Sequence, residues 1–109
     1  MSDEQNEKQI DVYETNRFAK QMSKLSEAQC AVVEDEIDKI IENPELGTRK
    51  KGDLSHLWVH KFKMDKQEVL LGYSWVEDKL ELYLLNVGHH ENYYESMKKS
   101  RKADLKLIG

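Results

Sequence analysis

LWVHKFKM-DKQE-VLLGYSWV-EDK-LELYLLNV, from Leu57 to Val87, is the stretch that decides the fold. Three runs rich in aliphatic, β-branched and aromatic residues are separated by short polar turns at Asp65-Lys66-Gln67 and Glu77-Asp78-Lys79. Strands joined by so few residues pair with their neighbours in sequence, so residues 57–64, 69–76 and 80–87 are predicted to form a three-strand antiparallel meander. The third run, Leu80-Glu81-Leu82-Tyr83-Leu84-Leu85, is almost wholly apolar and reads as a central strand that ends at Gly88. In a strand, positions two apart share a face. Val59, Lys61 and Lys63 thus point one way. Trp58, His60, Phe62 and Met64 point the other, and theirs reads as the core side.

Upstream the apolar period changes. Phe18, Met22 and Leu25 recur at spacings of four and three, which predicts a short helix over about 16–25 capped by Thr15 or Asn16. Ser26, with Gln29 three residues on, has the pattern of a capping box. From there Ala28, Val32, Val33, Ile37, Ile40 and Ile41 make a second stripe on a longer helix. Pro44 disfavours helical geometry at Asn43 and should end it. The short connection predicts an antiparallel helical hairpin. Ahead of it, Ile10-Asp11-Val12-Tyr13-Glu14 alternates like a half-buried strand. Residues 45–53 read as a loop punctuated by Gly47 and Gly52. Residues 91–107 read as a last helix with a weak stripe, acidic at its start and basic at its end. The expected fold class is therefore α+β: a short N-terminal strand and a three-strand antiparallel meander, packed on an N-terminal helical hairpin.

With 109 residues the chain has the length of one domain, so 10–109 is expected to be a single unit behind a disordered acidic tail at 1–9. No apolar run approaches the ~20 residues that cross a bilayer. The polar start lacks the basic residues and apolar stretch of a signal peptide, which points to the cytoplasm and away from membranes. Cys30 is the only cysteine, so no internal disulfide can form, and its apolar neighbours mark it as a small core residue. Charge is unevenly spread. Residues 1–44 carry 5 Lys/Arg against 11 Asp/Glu, and residues 45–109 carry 12 against 10. Any polyanion would meet the second half.

In this order of elements the sequence resembles the RelE/ParE superfamily of toxins from bacterial type II toxin–antitoxin pairs. The resemblance spans about residues 10–100. It is carried by Phe18-x-x-x-Met-x-x-Leu25 with Asn43-Pro44-Glu45-Leu46-Gly47 ending the next helix, and by Lys51-Gly52-Asp53-Leu54 leading into Val59-His60-Lys61-Phe62-Lys63. Val69-Leu70-Leu71-Gly72-Tyr73 and Leu84-Leu85-Asn86-Val87-Gly88-His89-His90-Glu91-Asn92-Tyr93-Tyr94 complete it. The resemblance implies an antiparallel sheet packed on two helices, and a cognate antitoxin that wraps the toxin. It implies one of two activities: cleavage of mRNA on the ribosome, or poisoning of DNA gyrase without nuclease chemistry.

RNA cleavage without a metal needs a base for the 2′-hydroxyl proton, an acid for the departing 5′-oxygen, and cations for the charge growing on the phosphate. Lys61 and Lys63 match the strand lysines that the resemblance implies for holding phosphate; alternatively they line a merely solvated face. Histidine changes charge near neutral pH and so can serve as acid or base. The resemblance implies a histidine or arginine after the last strand, and His90 matches it as the candidate acid/base. The resemblance also implies an aromatic a few residues on that stacks on a base, and Tyr94, four residues after His90 and on the same face if the segment is helical, matches it. The alternative is that His89 or Asn92 caps a helix while the tyrosines pack on the sheet. The resemblance implies, for one RelE-like branch, a carboxylate near Glu68 that joins a histidine in acid/base work; alternatively Glu68 is a solvated side chain beside a turn. Arg49, Lys50 and Lys51, with His89 and Tyr93, are candidate RNA contacts. His60 lies in the Trp58/Phe62 row and reads as a hydrogen-bonded structural histidine. His56 and His60 are four apart on a strand rather than on a helix, and there is no pair of cysteines, so no metal or other cofactor is expected. One departure matters. Many RelE-like members have an arginine just before the tyrosine of the second strand, and here that position is Gly72. A histidine-centred mechanism fits this chain better than an arginine-driven one, with gyrase inhibition, or a toxin fold that binds without catalysis, as the alternative.

Overall fold

Asp65 and Lys66 take positive φ angles of 54° and 70°, the conformation of a two-residue hairpin turn. The computed structural model of the chain describes residues 9–109. In it this turn joins β3 (Trp58–Met64) to β4 (Gln67–Val76), and the pairing runs from Met64 opposite Gln67 to Trp58 opposite Tyr73. β5 (Glu81–Gly88) pairs antiparallel with β4, with a bulge at Gly72/Tyr73. The predicted meander is thus present. β1 (Asp11–Glu14) joins parallel to β5, Asp11 opposite Glu81, and β2 (Thr48–Arg49) pairs antiparallel with β3. The strand order is β1-β5-β4-β3-β2, so β5 is interior, as its apolar run requires. Residues 1–8, most of the expected acidic tail, lie outside the described residues.

The helix caps are those read from the sequence. Thr15 Oγ accepts the Phe18 amide at 2.9 Å and starts α1 (Asn16–Ser23). Ser26 and Gln29 form the complete capping box of α2 (Glu27–Glu42), at 3.1 and 3.0 Å. Both helices lie on one face of the sheet. Phe18 and Met22 of α1, with Val33 and Ile40 of α2, pack against Leu71, Tyr73, Leu82 and Leu84.

The opposite face differs from expectation. It is not simply solvated, because Val59, Leu70 and Leu85 are buried there beneath Tyr93 and Met97. A layer made of α3 (Tyr93–Lys99) and α4 (Arg101–Ile108) covers it. The single helix predicted over 91–107 is thus two, and Ser100 ends α3 by returning its amide to the Ser96 carbonyl. The break lets each short helix bury its own side chains, Tyr93 and Met97 on α3 and Asp104 on α4. Two further corrections concern sheet edges. All four β1 residues are exposed, and Ile10 just before them supplies the core contact. The loop read at 45–53 contains β2, steadied by Tyr73, whose hydroxyl donates to the Pro44 carbonyl and accepts from the Gly47 amide.

Candidate active site

Lys61 and Lys63 emerge on the α3–α4 side of β3, where the helical cover stops, and both are exposed. Strand register sets Lys61 opposite Leu70 and Lys63 opposite Glu68, and sets Leu70 opposite Gly88 on β5. His89 Nδ1 reaches the Glu68 carbonyl oxygen at 3.3 Å and ties the end of β5 to the start of β4. Lys63, Glu68 and His89 therefore gather at one end of the sheet, with Lys61 two residues further in. Among the described residues, neither lysine is in an ion pair.

A second group forms where β5 passes into α3. The Tyr93 amide donates to the His90 carbonyl at 3.1 Å, and Asn92 takes a left-handed conformation with φ 60°. Asparagine tolerates that region better than most residues. The turn brings His90 edge-on to Tyr94, with ring centroids 5.7 Å apart. The sequence expects this neighbourhood from helical spacing, but α3 begins only at Tyr93, so the turn produces it. The Lys50 ammonium lies 5.1 Å from the centre of the Tyr94 ring, a cation–π contact. Arg49 Nε donates to the Ser55 carbonyl at 3.0 Å, while Lys51 is exposed at the start of a 3₁₀ turn, Gly52–Leu54.

Tyr93 corrects the list of RNA contacts. It is 3% exposed, and its hydroxyl donates to the Asn86 carbonyl at 3.1 Å. Burial pushes its ionisation well above the usual tyrosine range. It cannot stack on a nucleotide or exchange protons. Its hydroxyl lies directly over Gly72, where a Cβ would overlap it. The arginine missing at that position has no room in this chain. Tyr93 also approaches Gly88 and packs edge-on to Tyr94, so it floors the space between the two groups.

His60 stands apart from the site. It is on the α2 face, 2.7 Å from Glu36, and is the hydrogen-bonded histidine expected from the sequence. Burial opposes ionisation of Glu36, but hydrogen bonds from His60 and Lys39 outweigh it and lower its pKa. Both ring nitrogens of His56 are enclosed without a partner among the described residues, and burial lowers its pKa, which favours the neutral ring.

Compared with known families, residues 12–98 match the model of the ParE-like toxin of type II bacterial toxin–antitoxin systems. This chain belongs to that family. The toxin's fold is similar to three solved structures from Escherichia coli. With the toxin of the intact RelBE toxin–antitoxin complex the TM-score is 0.62 at 18% identity, covering 76% of this chain and 99% of that one. A doubly substituted RelE in the free state gives 0.66 at 16%, covering 85% and 96%. The same RelE variant bound to a RelB antitoxin peptide gives 0.60 at 19%, covering 80% and 93%. No curated protein matches the sequence. Identities this low establish a shared fold.

Within the ParE-like toxin, one supporting group escapes sequence reading. Arg17 of α1 grips buried Asp104 of α4 through two hydrogen bonds of 3.0 and 3.2 Å, and its Nε donates to the Leu85 carbonyl at 3.1 Å. Thr15 Oγ donates to the same carbonyl at 3.0 Å. The β4–β5 bulge adjoins Leu85, which offers this carbonyl to α1. Arg17 and Asp104 are 87 residues apart, and nothing local in the sequence links them. Chemically, the toxin offers exposed cations, the Glu68 carboxylate and two exposed histidines, His89 and His90, on the side capped by α3. Among the described residues no three His, Cys, Asp or Glu side chains cluster closely enough to hold a metal ion.

Proposed function

We propose that this toxin is a metal-free endoribonuclease that cuts mRNA on the ribosome and so represses translation. The supporting observation is that exposed Lys61 and Lys63 share a side of the sheet with the His90–Tyr94 pair. In this reading the 2′-hydroxyl oxygen attacks the adjacent phosphorus, and Glu68 takes its proton. Lys61 and Lys63 stabilise the negative charge on the five-coordinate phosphorus. His90 gives its proton to the departing 5′-oxygen, leaving a 2′,3′-cyclic phosphate and a 5′-hydroxyl. Tyr94 positions a base by stacking, with Lys50 beside it. Arg49, Lys51 and His89 meet RNA around this centre. A cognate antitoxin would hold the toxin inactive, as the RelBE complex pairs a toxin of this fold with its antitoxin. No helix among the described residues is long and apolar enough to cross a membrane, and a ribosomal target would put the toxin in the cytoplasm.

A second reading, inhibition of DNA gyrase, is favoured by one observation. Tyr93 fills the space over Gly72, so the site lacks a cation there. Induced expression with primer-extension mapping of message ends separates the two. Cuts at codon boundaries on translated messages, absent in His90→Ala at equal folded yield, are the expected result. Growth arrest with intact messages and gyrase-dependent DNA breaks would replace the first reading with the second.

A further inference from the structure

Residues 93–109 contain five Lys/Arg and two acids, Glu95 and Asp104. The fold sharpens this imbalance. Asp104 is 2% exposed and turned inward onto Arg17, so α4 presents no acidic side chain to solvent. Arg101, Lys102 and Lys106 remain exposed on α4, and Lys98 and Lys99 are exposed at the end of α3. The patch is joined to the candidate site. Arg101 Nε donates to the Asp53 carbonyl at 2.6 Å, in the 3₁₀ turn that follows Arg49-Lys50-Lys51. On the opposite side of the sheet, α2 carries one lysine against six acids. With Arg17 and Lys20 of α1 included, that side still carries more acids than bases, whereas the α3–α4 side, which holds Lys61 and Lys63, is cationic.

We propose that the outer surface of α3 and α4 is a second docking surface, which grips the phosphates of a structured RNA beside the candidate site. The inference rests on the ribosome-directed reading, because it names the partner that flanks that site. Charge complementarity favours a polyanion: opposite α2 would repel one, so the charge distribution also orients the approach. Lys102 and Lys106 stand one helical turn apart, a spacing suited to neighbouring phosphates. RNA is the better match than an anionic lipid surface. α4 has eight residues, and its large exposed apolar side chains are two leucines, Leu105 and Leu107, a small apolar face for lying in a bilayer interface.

The test uses the full chain carrying His90→Ala and a fluorescent 2′-O-methylated RNA duplex, which cannot be cleaved. Affinity is measured by anisotropy across a salt series. Each phosphate contact adds about 0.9 to the slope of log affinity against log salt. Lys102→Gln with Lys106→Gln is expected to weaken binding on the order of tenfold and to reduce that slope by about 2. Both substitutions are on exposed positions, and an unchanged thermal melt verifies the fold. Unchanged affinity and slope would overturn the proposal, and so would binding to phosphatidylglycerol vesicles with none to the duplex. Because no cleavage is measured, the two readings fail separately. Duplex binding that depends on Lys102 and Lys106 sustains the docking surface even if the active chain never cuts a message.

Discussion

Gly72 carries no side chain, and Tyr93 lies where one would begin. The pair explains why the chain departs from an arginine-driven pattern: a buried aromatic ring and a strand cation cannot share this space. Gly72→Ala is expected to force Tyr93 aside and to cost about 1–3 kcal/mol in urea unfolding. Adding Tyr93→Phe should recover part of that loss, because it removes the overlapping oxygen. An alanine variant as stable as the parent would mean that Tyr93 is not seated against the sheet. The sequence revealed neither partner's role. Gly72 stands out there only as the position of a missing arginine, and Tyr93 as one of two adjacent tyrosines that either meet RNA or pack on the sheet. Burial separates them, and burial depends on where α3 lands. By contrast, Lys61 and Lys63 were legible, because strand alternation alone fixes their face.

Between elements, the contacts with local signals were readable and those made at long range were not. The capping box of α2 and the Thr15 cap announce themselves within four residues. The clasp between α1 and α4 does not, and neither does the break at Ser100, since both follow from packing over the sheet. Arg17→Ala would leave Asp104 buried without its cation, and should cost about 3 kcal/mol by chemical denaturation. Replacing both, Arg17→Met with Asp104→Leu, should return stability to within about 1 kcal/mol of the parent. Acid behaviour separates two ion pairs further. Glu36 has a lowered folded-state pKa, so its contribution is present above the unfolded carboxylate pKa and is lost as pH falls through the folded one. Asp104 shifts upward because burial outweighs the pull of Arg17, so its contribution is present at acid pH and is lost as pH rises through the folded pKa. Urea midpoints between about pH 3 and pH 7 should show Glu36→Gln flattening the acid loss, and Asp104→Asn steepening it. Parallel curves for the two variants would refute both assignments.

Across the whole molecule, an acidic α2 on one face of the sheet and a basic α3–α4 layer on the other make stability and polyanion binding separable. The acidic α2 and the basic α3–α4 layer pack on different cores, so neutralising α2 should leave the duplex affinity nearly intact. Glu34→Gln with Asp38→Gln is expected to change that affinity by less than about threefold at 0.15 M salt, where fields from exposed charges decay within about 8 Å. A tenfold change would show that the two sides communicate. The parallel pairing of β1 with β5 has a consequence for synthesis. Thr15 and its partner Leu85 are 70 residues apart, so the first strand made must wait for the last strand, β5, before it has a neighbour. Contacts of such separation form slowly. A nascent chain can complete its helical pair early, but the sheet closes only once β5 is free, and α3 with His90 and Tyr94 comes after it. On the proposed reading, a copy abandoned before β5 would therefore lack the site, and interrupted synthesis would yield no active enzyme.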